Sequence, residues 1–110
     1  MASFNLKEFI RSSLQIPYIE PNHAVMDGSF TIEPYITSSL IGSGTVQNVA
    51  LNSTVNLFYK SQTDAASNGI ALFKALNDES GVFCEDPDFT YENESNFWRT
   101  TLSVQEVLND

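Results

Sequence analysis

Apolar residues near the start of the chain recur at the spacing of an amphipathic α-helix. The apolar positions are Leu6, Phe9, Ile10 and Leu14. Asn5 with Glu8 three residues later resembles a capping box, which satisfies backbone N–H groups at the start of a helix. Pro17 follows soon after the last apolar position. The pattern therefore predicts a helix over residues 4–14.

Turn-forming residues dominate 16–28, where Pro21 and the pair Asp27-Gly28 predict a connecting loop. A strand follows, with apolar side chains at Phe30, Ile32, Tyr35 and Ile36. Pro34 lies inside this strand and has no N–H to donate to a sheet. The strand is therefore predicted to be irregular or to lie at the edge of a sheet.

Residues 46–59 form a long β-rich stretch in which apolar positions alternate cleanly over 55–59. The polar run at 52–54 interrupts the stretch and predicts a bulge or a turn. Just before the stretch, residues 40–44 combine two apolar side chains with two glycines. This segment predicts a flexible, partly apolar turn.

A second helix is predicted over Thr63–Asn77, with Thr63 or Asp64 as its N-cap. Its buried face is expected to carry Ala65, Ala66, Ile70, Leu72, Phe73 and Leu76. Gly69 is the one weak point of this helix, because a central glycine costs about 1 kcal/mol relative to alanine. Gly81 follows the predicted end of the helix.

The last part of the chain predicts a β-hairpin, in which a polar turn at 93–96 separates Tyr91 from Phe97. The final strand is expected to place Trp98, Thr100, Leu102 and Val104 on one face and Phe97, Arg99, Thr101 and Ser103 on the other. Val82-Phe83 and Phe89 supply the β-forming residues before the turn.

The predicted order of elements is α-β-β-α-β-β, which indicates a single α+β domain over residues 1–110. Its sheet is expected to have four strands, mostly antiparallel or mixed, with two helices. The chain of 110 residues is near the commonest domain size. A compact domain of this length is expected to have a radius of gyration of about 13 Å.

The charge balance narrows the possible partners. With 14 acidic and 5 basic residues the net charge is −9, which argues against binding nucleic acid or an anionic membrane surface. Cys84 is the only cysteine, so the chain has no internal disulfide and a reducing compartment is expected. The N-terminal residues do not resemble a signal peptide, and no apolar run is long enough to span a membrane.

No group of residues predicts catalysis, a cofactor or a metal site. His23, the only histidine, lies in a loop with proline and asparagine, which is typical of a solvated or capping side chain. Cys84 is followed by Glu85 and Asp86, which raise the pKa of a thiol and make it less reactive. Gly42–Gly44 is not followed by the Gly-Lys-Ser/Thr of a phosphate loop, and a connection that orders against a partner is the preferred interpretation.

Acidic residues are concentrated in one segment, since seven of the 14 carboxylates fall within residues 78–94. They are Asp78, Glu79, Glu85, Asp86, Asp88, Glu92 and Glu94. Calcium binding is one interpretation, but the ligand order and the glycine of an EF-hand are absent. A solvated loop and hairpin surface is the simpler interpretation, and an electrostatic contact or lumen surface is the alternative.

The aromatic residues exceed what one face of a small sheet needs. Phe58 and Phe97 are predicted to lie opposite the core face, so either helices cover both faces or some apolar side chains contact another subunit. The candidate subunit or partner contacts are Ile41, Gly42, Ser43, Gly44, Phe58, Glu85, Asp86, Asp88 and Phe97.

A family resemblance extends over most of the chain. It rests on the N-terminal helix with Leu6–Ile10, on the β stretch Val55–Lys60 that leads directly into the helix Thr63–Asn77, and on the closing segments Cys84–Phe89 and Phe97–Thr101. In this order the segments resemble the small tail-terminator and minor-capsid proteins of long-tailed phages that infect Gram-positive bacteria.

The resemblance implies a non-enzymatic protein that assembles as a ring, usually a hexamer. Such a ring caps the tail tube at its final length and joins the tail to the head connector. The implied partners are other copies of the chain, tail-tube proteins and connector proteins, in a virion assembled in the bacterial cytoplasm. The resemblance nominates the turn at 40–45 and the acidic segment at 85–94 as ring or lumen surfaces.

Three alternatives stay open at the level of sequence. Another head–tail completion or neck protein fits the same pattern. An acidic DNA-mimic inhibitor is a different class, although a mimic spreads its carboxylates over one face, whereas half of them here lie in a single segment. A small-molecule-binding or catalytic domain fits least, because histidine, cysteine, lysine and arginine are scarce.

Overall fold

Two helices and five strands make up the part of the chain that the structure describes. The structure is a computed structural model that describes residues 4–41 and 45–107, and over 35–41 and 45–50 it describes the backbone alone. The elements are α1 (Leu6–Leu14), β1 (Ser29–Ile41), β2 (Thr45–Tyr59), α2 (Gln62–Asn77), β3 (Val82–Cys84), β4 (Asp88–Glu92) and β5 (Phe97–Val107). This confirms the predicted α+β fold, with one strand more than expected.

The five strands form one antiparallel sheet in the order β1-β2-β5-β3, with β4 paired to β5 beside β3. The strand predicted from its proline to be irregular or to lie at an edge lies at an edge, because β1 pairs with β2 alone among the described strands. The predicted break at 52–54 was wrong. These residues continue β2 in unbroken register with both neighbours, and the irregularity lies instead between Ser39 and Leu40.

Backbone direction explains why β1 accepts a proline. The N–H and C=O of Phe30 both bond to the preceding loop, at Pro17 and Ile19, and therefore point away from β2. Alternate residues of a strand repeat this direction, so Ile32, Pro34, Ile36 and Ser38 also point outward. The missing N–H of Pro34 therefore costs no hydrogen bond between β1 and β2.

β1 and β2 are longer than the rest of the sheet. Within the described residues, β2 pairs with β5 as far as Ala50, opposite Val107, whereas it pairs with β1 to the end of both strands. Residues 38–41 and 45–49 thus form a two-stranded extension of the described sheet, here called the hairpin arm. The molecule measures 50 × 25 × 22 Å with a radius of gyration of 15.1 Å, larger than the value expected for a compact chain of this length.

Both helices pack on the same face of the sheet, here called the front face. Ile10 of α1 and Ala65, Leu72 and Leu76 of α2 are buried in one cluster with the strand residues. The strand residues of this core are Phe30, Val55, Leu57, Tyr59, Val82, Cys84, Leu102 and Val104. The prediction that Leu102 and Val104 share the core face is confirmed.

The helix starts show which cap predictions were right. Asn5 caps α1, since its side chain accepts a hydrogen bond from the N–H of Glu8. For α2 the predicted cap was wrong, because Ser61 takes this role and accepts from the N–H of Asp64 at 3.3 Å. Ile70, predicted to be buried, is 43% exposed, and Gly69 is buried in its place.

Phe58 and Phe97 lie on the opposite face of the sheet, here called the back face, as predicted. They are nonetheless only 8% and 9% exposed. The loop that precedes β1 lies beside Phe58, through Pro21 and Val25, and the Lys60 ammonium lies 5.9 Å from the centre of the Phe97 ring. These rings are therefore buried on the face of the sheet opposite to the two described helices.

Candidate interaction surface

β4 presents an open sheet edge. Residues 88, 90 and 92 of β4 pair with residues 101, 99 and 97 of β5. The backbone groups of these β5 residues point toward β4, because they alternate in step with Ser103, whose C=O accepts from the N–H of Glu85 on the same side of β5. The N–H and C=O of Phe89 and Tyr91 therefore point away from the sheet. No described strand pairs with this side of β4. Such an edge is a template for another strand.

The aromatic side chains of β4 are unusually exposed. Phe89 and Tyr91 are 40% and 41% exposed on the front face, although one edge of the Phe89 ring lies against Gly69 of α2. The Tyr91 ring contacts Trp98, with 5.2 Å between ring centres, and its hydroxyl donates to Asn96. These contacts hold the Tyr91 ring in place at the edge, and together with the exposed part of Phe89 it offers a preformed apolar surface.

β3 lies along the same side of β5, but its edge is closed by a side chain. The Asn77 carboxamide donates to the C=O of Cys84 at 3.0 Å and accepts from the N–H of Cys84 at 2.9 Å. These two backbone groups point away from β5, so the amide occupies the place that a neighbouring strand would take. The open part of this sheet edge is therefore β4.

The acidic segment flanks this open edge. Glu85 and Asp86 are exposed in the link between β3 and β4, and Asp88 is exposed where β4 begins. Glu92, where β4 ends, pairs with Arg99 at 2.8 Å. Carboxylates of like charge repel one another, so this edge is protected against pairing with the same edge of a second copy.

Cys84 is held as a neutral thiol. Burial raises its pKa to about 11, and the nearby carboxylates of Glu85 and Asp86 add to the effect. The predicted influence of the acidic neighbours is present, with burial as the larger cause. The thiol also lies 3.4 Å from the C=O of Glu85 as a weak donor. These contacts give Cys84 a packing role in the core.

The raised pKa values of two buried side chains, Tyr59 and Cys84, predict a loss of stability in alkaline solution. Burial, with Asp64 and Asp27 nearby, raises the pKa of Tyr59 to about 12, against 10.0 for an ordinary tyrosine, and the Cys84 thiol is raised from 9.0 to about 11. Above pH 9 the unfolded chain loses protons that the folded chain keeps, so the free energy of unfolding falls as pH rises. We expect a constant value from pH 7 to 9 and a fall on the order of 1 kcal/mol by pH 10.5, measured by urea unfolding.

Cys84→Ser is the matched control for this profile. It removes the thiol titration and leaves Tyr59 in place, so the fall is expected to begin near pH 10 instead of pH 9. Serine also lowers stability by a constant amount because the site is buried, which does not alter the shape of the profile. Identical alkaline profiles for the two proteins would contradict the assignment to Cys84.

His23 lies at a shallow cleft on the back face. The cleft is formed by the loop at 21–25 together with Phe58, Glu92 and Arg99. The His23 side chain is exposed, with Nδ1 3.3 Å from the C=O of Pro21, which agrees with a solvated loop residue. Within residues 4–41 and 45–107, no three His, Cys, Asp or Glu side chains are grouped closely enough to hold a metal ion.

The candidate contacts do not form one site. Glu85, Asp86 and Asp88 lie along the β3–β4 side of the sheet, whereas Ile41 ends β1 at the opposite side. Gly42, Ser43 and Gly44 lie outside the described residues, and Phe58 and Phe97 are already buried within the chain.

Sequence reasoning missed the aromatic surface of β4. Phe89 and Tyr91 alternate with Asp88, Thr90 and Glu92, which places polar residues on one face of a short strand and aromatic residues on the other. The sequence contains this alternation. Whether the aromatic face is covered depends on the position of α2 on the sheet, which the sequence pattern does not give.

The chain matches no model of a known protein family, and comparison with curated proteins finds no match either. Neither described helix combines the length and apolar character required to span a bilayer.

Proposed function

We propose that this chain is a structural subunit of a long-tailed phage, a tail terminator that forms a ring on the tail tube and joins it to the head connector. The family identity rests on the sequence resemblance. In this role the protein acts in the virion after assembly in the bacterial cytoplasm, and it acts by binding other copies and tail proteins.

The observation that best supports a ring is that the sheet has two open edges of different chemistry. A closed ring of identical subunits needs two different patches on each subunit, one for each neighbour. The β1 edge is long and nearly free of charge, whereas the β4 edge is short, aromatic and flanked by carboxylates. Two unlike edges at opposite sides of one sheet meet this requirement.

The net charge of −9 opposes contact between copies. Salt screens this repulsion, because the Debye length falls from about 30 Å at 0.01 M to about 8 Å at 0.15 M. A ring of this protein is therefore expected to form more readily at moderate than at low ionic strength.

Two measurements test the proposal. Light scattering on a sizing column, at low and at moderate salt, is expected to show a species near 73 kDa, six chains of 12.2 kDa, which negative-stain microscopy resolves as a ring with a central hole. Added to growing tubes of a tail-tube protein, the ring is expected to stop elongation.

The outcomes separate the alternatives. Tubes that lengthen equally with and without the protein would contradict a terminator. A ring that forms but leaves tube growth unchanged, while binding a connector, would instead indicate another head–tail joining protein. The low-salt sample is the internal control, since the same chain is expected to shift toward smaller species there.

A further inference from the structure

We propose that the outer edge of β1, including the hairpin arm, adds as a strand to the β4 edge of a second copy of this chain. This contact rests on the proposed ring and names the two surfaces that build it.

The backbone of β1 is open where the arm begins. Outward-pointing N–H and C=O groups occur at Ile36 and Ser38, and beyond the bridge from Tyr18 to Phe30 no described residue pairs with this edge. The arm itself consists of two strands without further support from the described sheet. Two-stranded ribbons of that kind are marginally stable in water, so a third strand stabilises the arm.

The absence of charged residues in the arm favours its contact with a second copy of the chain. All charged residues lie outside 34–59, a run of 26 residues without Asp, Glu, Lys, Arg or His. Strands at sheet edges commonly carry charges that prevent pairing, and this one carries none after Glu33. Because the remainder of the chain bears the whole charge of −9, the arm is the part that approaches another copy with least repulsion.

The β4 edge is the matching acceptor. It offers outward N–H and C=O groups at Phe89 and Tyr91, and their exposed rings give an added strand an apolar surface to pack on. Asp88 and Glu92 meet no carboxylate on the arm, whereas two β4 edges would bring their carboxylates together.

Strand direction also fits. β1, β2, β5 and β4 alternate in direction, so β4 runs opposite to β1. Copies related by rotation about an axis along the strands would therefore pair β4 of one with β1 of the next in the antiparallel sense. Antiparallel ladders of this kind add backbone hydrogen bonds at alternate residues of each strand.

Proline substitution at outward positions tests the contact. Ser38→Pro and Tyr91→Pro each remove an N–H that points out of the sheet, and Pro34 shows that β1 accepts proline at such a position. Each variant is expected to raise the protein concentration at which half of the chains assemble at least about tenfold, measured by light scattering, and Ser38→Pro is expected to leave the thermal unfolding transition unchanged. Ser38→Ala keeps the N–H and is expected to assemble as the unchanged chain does.

Mixing the two proline variants distinguishes this contact from pairing of two β1 edges. Each variant keeps one intact edge, so an equimolar mixture is expected to form a heterodimer of about 24 kDa, two chains of 12.2 kDa, and to stop there.

Tyr91→Ser is the second β4 variant if Tyr91→Pro unfolds. It keeps the N–H and loses the ring, and it is expected to weaken assembly.

Three results would overturn the inference. They are a chain that stays monomeric at every concentration and salt, assembly that persists unchanged in Ser38→Pro, and assembly that persists unchanged in both Tyr91 variants. A ring that survives all the variants and still stops tube growth would overturn this contact and leave the proposed function standing, so the two failures are separable.

Discussion

Replacing Gly69 by alanine is expected to lower the free energy of unfolding by about 1–2 kcal/mol, although the same change in an exposed helix stabilises it by about 1 kcal/mol. The reason is close packing between α2 and the sheet. A Cβ at Gly69 would lie 2.6 Å from Thr100 Cγ2 and 3.1 Å from Phe89 Cε1. Thr100 cannot withdraw freely, since its hydroxyl donates to the C=O of Ala65 at 3.0 Å in the buried core. Chemical denaturation monitored by far-UV circular dichroism measures the change.

The double variant Gly69→Ala with Thr100→Ser is the control for this explanation. Serine keeps the hydroxyl that bonds to Ala65 and removes the methyl group Cγ2 that the new Cβ would meet. We expect the cost of the alanine in the serine background to fall by at least about half, an interaction energy that a double-mutant cycle isolates. Equal costs in both backgrounds would show that the methyl contact does not limit the helix position.

Replacing Asn77 by alanine is expected to cost about 1–3 kcal/mol, because two backbone groups of Cys84 lose their partner at once. The carboxamide also donates to the C=O of Phe73 at 3.1 Å, which ties the end of α2 to β3. The loss is expected to appear in urea unfolding and, earlier, as faster hydrogen exchange at the Cys84 amide. Exchange at the paired β5 amides is expected to change less.

Asn77→Asp supplies the matched comparison. At pH 7 its carboxylate accepts from the N–H of Cys84 but cannot donate to the C=O. Asp78, which follows residue 77, and Glu85 and Asp86, which follow Cys84, disfavour the added charge. Below about pH 3.9 the protonated acid regains a donor, so the aspartate variant is expected to gain stability relative to the alanine variant. Parallel behaviour of the two variants from pH 7 to pH 3 would argue against bonding to Cys84.

Local patterns were sufficient to predict most elements of this fold. The helical spacing of Leu6, Phe9 and Ile10 with the Asn5 cap gave α1, and the polar turn before Phe97 gave the closing hairpin. These signals depend on residues a few positions apart, which is the range over which propensity and capping act. From Pro34 alone, β1 was predicted to be irregular or to lie at an edge, and the edge position is the one the structure has.

What the sequence did not predict depends on contacts between distant segments. Gly69 has the pattern of a weak point in a helix, and only the approach of Thr100, 31 positions later, shows that a larger side chain does not fit. The polar run at 52–54 suggested a break, yet pairing on both sides keeps β2 continuous. The long-range contact of Asn77 with Cys84 likewise closes the edge of β3, and this is why the open part of that sheet edge is β4.

The sheet order has a consequence for how the chain reaches its folded state. β5 lies between β2 and the β3–β4 side of the sheet, yet it comes after every other described element in the chain. Until β5 is in place, the β1–β2 hairpin and the segment carrying β3 and β4 have no strand to join them. Pairing of β2 with β5 closes a long loop, which slows folding relative to hairpin formation. During synthesis, the two edges proposed to pair between copies therefore belong to one sheet only after β5 has emerged, so the proposed contact is expected to form after β5 has joined the sheet.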